Sequence, residues 1–336
     1  MPENKIKISP AKGRPMLQWV GKKPLDYVKG FPAQLVEVFD PSAALSLRAE
    51  SEAISYENLQ DNWQNLLFHG DNKEVMATLI ENGFRGKIDL IYIDPPFMSG
   101  ADYVRKVQLR GMKRPEAFEV DEASLLQQVM YEDMWRRDQY LQFMYERLML
   151  LKELLSDAGS IYVHLDWHVG HYVKLLMDEI FGQDNLRNEV VWHYRTGNIA
   201  EKIFARRHDV ILMYSKSQNP IFNPIEIKEY YSQIYGPGFK SSFKGRKASK
   251  DKFGEYRINF VDDVWGISAV FTLGSEHLPF QTQKPEALLD RIIKASTKKP
   301  QQSLEDGEEI PLVLDCFIGS GTTAAVAQKL GRRWIG

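Results

Sequence analysis

Asp94, Pro95, Pro96 and Phe97 follow directly on the apolar residues 90–93, and together they suit one kind of chemistry. Two prolines cannot continue a central strand, so the chain must leave the sheet in a rigid extended form with Asp94 at a strand's carboxyl end. Ligands bind at that edge of an open α/β sheet. A carboxylate and a proline-locked carbonyl can accept both hydrogens of a planar aromatic amine, such as N6 of adenine, while Phe97 stacks on the ring. Such a base must first leave its duplex. A strand stop with a capping Asp is the alternative reading of this segment taken alone.

A second segment, residues 311–323, predicts a strand, a tight glycine turn and the start of a helix. Gly319 and Gly321 let the backbone approach a bound cofactor closely, and Thr322 and Thr323 are placed to cap the helix. No lysine follows the second glycine as a phosphate-binding Walker loop requires, so an ATPase is excluded. The third glycine of a dinucleotide-binding loop is also missing. A plain turn between strand and helix remains the alternative.

Apolar runs alternate with helical stretches from residue 65 onward, which predicts βαβ units and a mostly parallel sheet. Strands are predicted at residues 66–69, 90–93, 160–165, 189–192, 210–214 and 312–314. Helices are predicted at residues 73–80, 140–155, 171–181, 285–295 and 322–330. Residues 98–138 and 217–279 are too long for connections inside a compact domain, so we treat both as insertions.

The second insertion carries a basic segment with a local charge of +5, in which aromatic residues are interleaved. Phosphate-neutralising charge and stackable rings are what a nucleic-acid surface needs, although a solvated loop has a similar composition. The candidate DNA-binding residues are Lys240, Lys244, Arg246, Lys247, Lys250 and Lys252.

Composition excludes several other classes of protein. Lys and Arg number 43 against 45 Asp and Glu, so the net charge of −2 gives no argument for a polyanionic partner from the chain as a whole. A single cysteine, Cys316, excludes a disulfide framework and multi-cysteine zinc sites. Neither a signal peptide nor a long uncharged apolar stretch is present, so we expect a soluble cytoplasmic protein without membrane contact.

A histidine-rich stretch is the one candidate for a metal site. It contains His164, Asp166, His168 and His171. If residues 160–165 form a strand, the first three alternate to one face while His171 opens the next helix, so the four do not converge. We therefore expect no metal.

The order and spacing of these segments resemble the permuted β-class of S-adenosylmethionine-dependent adenine-N6 DNA methyltransferases, especially the modification subunits of type III restriction systems. In that class an Asp-Pro-Pro-aromatic segment precedes a Phe-x-Gly-x-Gly-Thr-Thr segment, as it does here. Further matches are residues 69–71, 147–155, 159–166, 174–182, 208–216 and 281–285. Met98 and Gln281 depart from the frequent Asn and Pro of the class.

The resemblance implies a doubly wound, mostly parallel sheet of the methyltransferase type, with a circularly permuted motif order and an inserted DNA-recognition region. It divides the chain into an N-terminal extension (1–60), a catalytic half (61–216, with the insertion 98–138), a target-recognition insertion (217–279) and a cofactor-binding half (280–336).

The resemblance also assigns roles to residues. Asp94, Pro95 and Phe97 hold the flipped base, and Pro96 fixes the turn. The residues expected to bind S-adenosylmethionine are Asp71, Gln283, Lys284, Pro285, Asp315, Phe317, Gly319, Gly321, Thr322 and Thr323. Asp71 is expected near the cofactor's adenine, and the Gln-Lys-Pro motif is expected to close over the cofactor.

The implied function is methylation of N6 of adenine in double-stranded DNA within a restriction-modification system. Cytosine-N4 methylation uses the same geometry and stays open, although Asp rather than Ser before Pro-Pro favours adenine.

The chain stops at residues 333–336, where a strand begins after the helix predicted at residues 322–330. We therefore also expect a C-terminally truncated enzyme with weakened or absent cofactor binding, and a DNA-binding remnant without activity is the third hypothesis. A restriction subunit and a second copy of the chain are candidate partners.

Overall fold

The computed structural model of the 336-residue chain describes residues 5–11, 13–34, 55–59, 63–96, 103–107, 126–131, 137–194, 200–236, 249–271, 274–280 and 282–336, with the backbone alone for 103–107 and 126–131. The strands are β1 Lys5–Lys7, β2 Tyr27–Lys29, β3 Ile88–Ile93, β4 Tyr103–Val107, β5 Leu126–Tyr131, β6 Leu155–Leu165, β7 Leu186–His193, β8 His208–Ser215, β9 Glu226–Tyr230, β10 Ser249–Asp251, β11 Gly254–Phe260, β12 Val264–Gly266, β13 Leu312–Leu314 and β14 Arg333–Ile335. The helices are α1 Tyr56–Leu59, α2 Asn72–Leu79, α3 Arg137–Leu154, α4 Gly170–Phe181, α5 Tyr231–Tyr235, α6 Glu286–Ser296, α7 Pro300–Glu305 and α8 Thr322–Lys329. A π-helical turn, Ile80–Phe84, continues α2, and a 3-10 turn, Gln183–Asn185, follows α4.

Within the described residues, a central sheet has its strands in the order β12, β7, β8, β6, β3, β13, β14. Neighbouring strands are parallel except at β8, which runs antiparallel to both β7 and β6. The strand order shows that the chain crosses between distant strands through helices, as parallel pairing requires. The predicted mostly parallel α/β sheet is therefore confirmed.

Each face of the sheet carries its own apolar core. Ile91 and Ile93 of β3 are buried against α2, α3 and α4, whereas Leu90 and Tyr92 point to the opposite face against α6 and α8. This division follows from strand periodicity, because successive side chains alternate between faces. Each fully buried Leu or Ile stabilises the fold by about 1.5–3 kcal/mol. No helix in the described parts of the chain has the length and apolar character needed to span a membrane.

The strand predicted at residues 66–69 is only partly correct. Leu66 forms a single parallel bridge to Ile335, and the Phe68 N–H donates to the carbonyl of Gly336 at 2.8 Å. Strand β14 is thus bordered by β13 on one side and by this extended segment on the other. The prediction that residues 333–336 enter a strand is confirmed, and that strand pairs with β13.

The described part of the N-terminal extension packs on the helical layer of the sheet's α2–α4 face. Ile8 and Val28 are buried in that core, and the Lys22 ammonium lies 2.6 Å from a carboxylate oxygen of Glu179 in α4. The Gly13 N–H donates to the Glu179 carbonyl at 2.9 Å. A Cβ on Gly13 would lie 2.0 Å from the Asp178 carbonyl oxygen, so only glycine allows this close approach.

The range 217–279 contains two different structures. Residues 226–260 hold a separate antiparallel sheet in the order β10, β11, β9. Strand β12 instead extends the central sheet beside β7, and Trp265 is buried in the core. Within this range, β12 thus belongs to the central sheet, whereas β9, β10 and β11 form a sheet of their own.

Candidate active site

Asp94 lies where β3 ends, and its nearest charged partner comes from the segment before α6. The Lys284 ammonium forms an ion pair with Asp94 Oδ2, and their side chains are 12% and 17% exposed, respectively. Pro285, which precedes the first residue of α6, fixes the end of the segment that carries Lys284. Asp94 Oδ1 is buried and has no hydrogen-bond partner among the described residues. One carboxylate oxygen is therefore held by the protein and the other can accept a hydrogen bond from a ligand. Phe97 lies outside the described residues.

Asp315 is the buried carboxyl group at the end of the neighbouring strand, β13. The Phe317 N–H donates to its Oδ1 at 2.9 Å, and the Thr323 hydroxyl donates to its Oδ2 at 2.6 Å. The pKa of Asp315 is raised from 3.8 to about 7, chiefly because burial disfavours the charged form. The two hydrogen bonds oppose this shift, the charge of Asp94 adds to it, and the charge of Lys284 opposes it.

The expected capping of α8 by its threonines is wrong. Gly321 precedes the helix with φ of +84°, and no side chain caps the helix. Thr323 bonds to Asp315 instead, while the Thr322 and Ser320 hydroxyls lie 2.9 Å apart. Because Gly321 occupies the N-cap position, Thr322 and Thr323 are already residues of the helix, and the Thr323 hydroxyl donates to the buried carboxyl group at the strand end.

The glycine turn is covered by the segment that precedes Lys284. Gly319 has φ of +52°, and a Cβ there would lie 3.4 Å from the Phe280 ring. Gln283 holds this covering segment in shape, since its amide donates to the Glu276 carbonyl at 2.7 Å and accepts from the Leu278 N–H at 2.7 Å. The structure therefore brings the predicted Gln-Lys-Pro motif and the glycine turn together, as the resemblance implies.

Asp71 is tied to the same turn through Asn72. Asp71 accepts from Arg147, with Oδ2 and Nη2 3.1 Å apart, and Arg147 Nε donates to Asn72 Oδ1 at 2.6 Å. The Asn72 amide in turn donates to the Cys316 carbonyl at 3.1 Å. No role was predicted for Arg147, although an arginine within the apolar pattern of α3 was a signal. Its guanidinium carbon also stacks 3.4 Å from the Phe143 ring centroid.

A buried chain of hydrogen bonds crosses the sheet beside Asp94. The Tyr92 hydroxyl lies 2.9 Å from His164 Nδ1, and His164 Nε2 lies 3.1 Å from Asp209 Oδ2. The Tyr194 hydroxyl donates to Asp209 Oδ1 at 3.2 Å. Burial raises the pKa of Tyr92, and the charge of Asp94 adds to the shift. These contacts join β3, β6, β8 and the end of β7 next to the edge of the sheet where Asp94 lies.

The histidine-rich stretch does not gather into one cluster. His164 turns to Tyr92 and Asp209, whereas Asp166 forms a separate pair with His168. Among the residues that the structure describes, no three His, Cys, Asp or Glu side chains come together as a metal-binding group.

Only part of the basic segment can be located. Lys250 and Lys252 are exposed on the separate sheet, in β10 and immediately after it. Lys240, Lys244, Arg246 and Lys247 lie outside the described residues. The one acidic residue of the segment, Asp251, is bound by Lys228 at 2.9 Å, which offsets its negative charge.

Comparison with known proteins agrees with this geometry. Residues 88–336 match a family model for N6 and N4 methyltransferases, described as DNA methylase. The chain belongs to this family. Membership confirms the methyltransferase fold predicted from the sequence, and S-adenosylmethionine is the cofactor of this family of DNA methylases.

Individual relatives of the chain include modification subunits. The chain is 26% identical over 311 residues to the type III restriction-modification enzyme EcoP15I Mod subunit of Escherichia coli, covering 88% of this chain and 46% of the relative. It is 29% identical over 210 residues to the EcoPI Mod subunit of Escherichia phage P1, covering 60% and 30%. The chain thus spans about half or less of the length of these relatives. Among solved structures, an M1.HpyAVI complex with S-adenosylmethionine is similar, with a TM-score of 0.44, 16% identity and coverage of 81% of this chain and 92% of that one.

The residues around Asp94 and Asp315, at the carboxyl edge of the sheet, fit S-adenosylmethionine. Asp94 and Asp315 place two carboxyl groups beside one ammonium, that of Lys284, which suits a ligand with cationic groups. The left-handed backbone at Gly319 and Gly321 leaves room where side chains would otherwise lie. Predicted cofactor residues from three separate parts of the chain therefore meet around one turn.

Proposed function

We propose that the chain is an S-adenosylmethionine-dependent DNA methyltransferase that modifies N6 of an adenine extruded from double-stranded DNA. The observation that carries this proposal is the state of Asp94. One of its oxygens is fixed by Lys284, and the other is buried without a partner among the described residues. An unsatisfied buried carboxylate oxygen is costly, so its presence at the ligand-binding edge of the sheet supports a role in binding an amino group.

The chain's own residues account for activation of the base. Asp94 accepts one amino hydrogen through Oδ1, and the Pro95 carbonyl accepts the other. These contacts draw the nitrogen lone pair out of conjugation with the ring and stabilise the positive charge that develops on nitrogen during attack. Lys284 keeps the carboxylate in one orientation. When bound, S-adenosylmethionine supplies a methyl group that its sulfonium activates for transfer.

We also propose that the chain is the modification component of a restriction-modification system. The names of the EcoP15I and EcoPI relatives support this assignment. In this proposal residues 61–216 and 280–336 form the two halves of the catalytic domain, and residues 217–279 contribute target recognition. The separate sheet of β9, β10 and β11, with Lys250 and Lys252 exposed on it, supports that division. A restriction subunit is the partner to be tested.

The decisive experiment is methylation of unmethylated genomic DNA with labelled S-adenosylmethionine, followed by mass spectrometry of the nucleosides. We expect N6-methyladenine, and we expect Asp94→Ala to lower the rate at least about 100-fold. The matched control is Asp157→Ala, because the Asp157 side chain is 95% exposed. N4-methylcytosine as the product would instead establish the cytosine-N4 alternative. Undiminished activity in Asp94→Ala would remove Asp94 from the mechanism, and DNA binding without any methylation or cofactor binding would identify a remnant.

A further inference from the structure

The connection between β7 and β8 lies at the same edge of the sheet as Asp94. Strands β3, β6 and β7 all point the same way, because β3 and β6 are parallel and β8 is antiparallel to both β6 and β7. The carboxyl ends of these three strands therefore lie along one edge of the sheet, with β8 between β7 and β6, at a spacing of about 4.8 Å per strand. A duplex that presents a base to Asp94 has to lie across this edge.

Large apolar side chains are exposed at this edge. Phe204 is 99% exposed and Ile203 is 59% exposed in the β7–β8 connection, and Trp167, just after β6, is 49% exposed. The guanidinium carbon of Arg206 lies 3.7 Å from the Trp167 ring centroid, which joins the connection to the end of β6. Single exposed apolar residues are ordinary on protein surfaces. Here Ile203 and Phe204 are exposed in the same short connection as Arg206, and the Arg206 cation stacks on the ring of Trp167.

Charge favours a polyanion as the occupant of this surface. Residues 201–207 carry one acidic and three basic side chains, a local charge of +2. Basic residues next to a projecting aromatic side chain are the combination used by proteins that insert a wedge between base steps. A protein partner would bury the apolar residues equally well, but it would not require the adjacent positive charge.

We propose that Trp167, Ile203, Phe204 and Arg206 form a DNA-docking surface on which Phe204 inserts into the base stack a few base steps from the extruded adenine. The inference deepens the proposed function and rests on it. Phe204 follows β7, three strand positions from β3, so it lies on the order of 15 Å from Asp94. That distance corresponds to roughly four base steps of duplex, so the wedge would kink the DNA near the target rather than fill the place of the extruded base.

The test measures binding of the chain to a fluorescein-labelled, mixed-sequence duplex by fluorescence anisotropy. We expect Phe204→Ala to weaken binding about tenfold, as for loss of one base-stacking aromatic. Arg206→Gln is expected to lower the log-log salt slope by about 1. Leu304→Ala is the matched control, because Leu304 is 64% exposed and lies on α7, before β13 and thus at the opposite edge. Equal affinities for the Phe204 and Leu304 variants, or no binding of the wild type to duplex DNA, would overturn the proposal.

A second measurement tests insertion directly. Phe204→Trp adds one tryptophan to the seven native ones, whose signal is removed by subtracting the wild-type titration. We expect the added fluorescence to be quenched by duplex DNA through stacking, whereas that of Leu304→Trp is not. Absence of quenching would overturn insertion. If adenine methylation fails while Phe204→Ala still loses affinity for DNA, the proposed function fails and the docking surface stands. If methylation depends on Asp94 but Phe204→Ala binds DNA as tightly as the wild type, the proposed function stands and the docking surface fails.

Discussion

Replacing Asp315 by asparagine should change how the stability of the protein depends on pH. In the folded protein the pKa of Asp315 is about 7, against 3.8 in an exposed carboxyl group, mainly because of burial. Between about pH 4 and pH 7 the folded state therefore holds a proton that the unfolded chain has released. The free energy of unfolding contributed by this group falls as the pH rises through that window and is constant above it.

The size of the effect follows from the same shift. At about 1.4 kcal/mol per pKa unit, the raised pKa of Asp315 costs about 4 kcal/mol at neutral and higher pH. Asparagine does not titrate, and it resembles the protonated carboxyl group in shape. The unfolding free energy of Asp315→Asn minus that of the wild type should therefore grow by up to about 4 kcal/mol from about pH 4 to pH 7 and then level off.

Urea denaturation followed by circular dichroism, repeated from about pH 4 to pH 8, measures this difference. The comparison cancels the titration of groups that both proteins share. A difference that is the same at about pH 5 and pH 8, or one that shrinks as the pH rises, would refute the assignment of a raised pKa to Asp315.

Three further substitutions test other contacts. Lys284→Met should lower the methylation rate about 100-fold, because Asp94 loses its orienting partner, and should leave the near-ultraviolet circular dichroism spectrum unchanged. Lys284→Arg should recover part of the rate. Full activity in the methionine variant would contradict the role of Lys284 in orienting Asp94. Gly13→Ala should lower the free energy of unfolding by about 1–3 kcal/mol, since its Cβ would lie 2.0 Å from the Asp178 carbonyl oxygen; an unchanged melting temperature would show that this close approach is not required. His164→Leu should cost about 1–3 kcal/mol for each buried hydrogen-bonding group that it leaves unpaired; equal stability of this variant and the wild type in urea would contradict the buried chain of hydrogen bonds.

The periodicity of apolar residues in the sequence predicted the strands that bury one face and the helices that bury one stripe. Helix α6 places Leu288, Leu289, Ile292 and Ile293 on a single stripe, and its predicted and observed bounds differ by one residue. The three short strands of the separate sheet were not predicted. Their residues are mostly exposed or half-buried, so neither face imposes a hydrophobic alternation that a sequence pattern could reveal.

For the candidate site, individual residues could be predicted from the sequence, but the contacts between them could not. The Asp-Pro-Pro segment and the resemblance to the methyltransferase class predicted Asp94, Asp315 and Lys284 one by one, but they could not show that Lys284 pairs with Asp94 across 190 residues of chain. Nor could the sequence predict that the Thr323 hydroxyl donates to Asp315, because that depends on where the helix begins and on which acceptor lies within reach of the hydroxyl. Contacts between distant segments are properties of the assembled sheet and leave no local signal.

The pairing of residues near Leu66 with β14 has a consequence for how the protein folds. The Trp334 N–H donates to the Asn65 side chain, 269 residues away, and the Leu66 N–H donates to the Trp334 carbonyl. At roughly 5–20 residues per second, a ribosome needs tens of seconds to make the intervening chain. Throughout that interval the Leu66 segment has no β14 to pair with, and the edge of β13 has not yet formed. Completion of the sheet is therefore a late, long-range step of folding, and substitutions at Asn65 should mainly speed unfolding and leave the refolding rate almost unchanged.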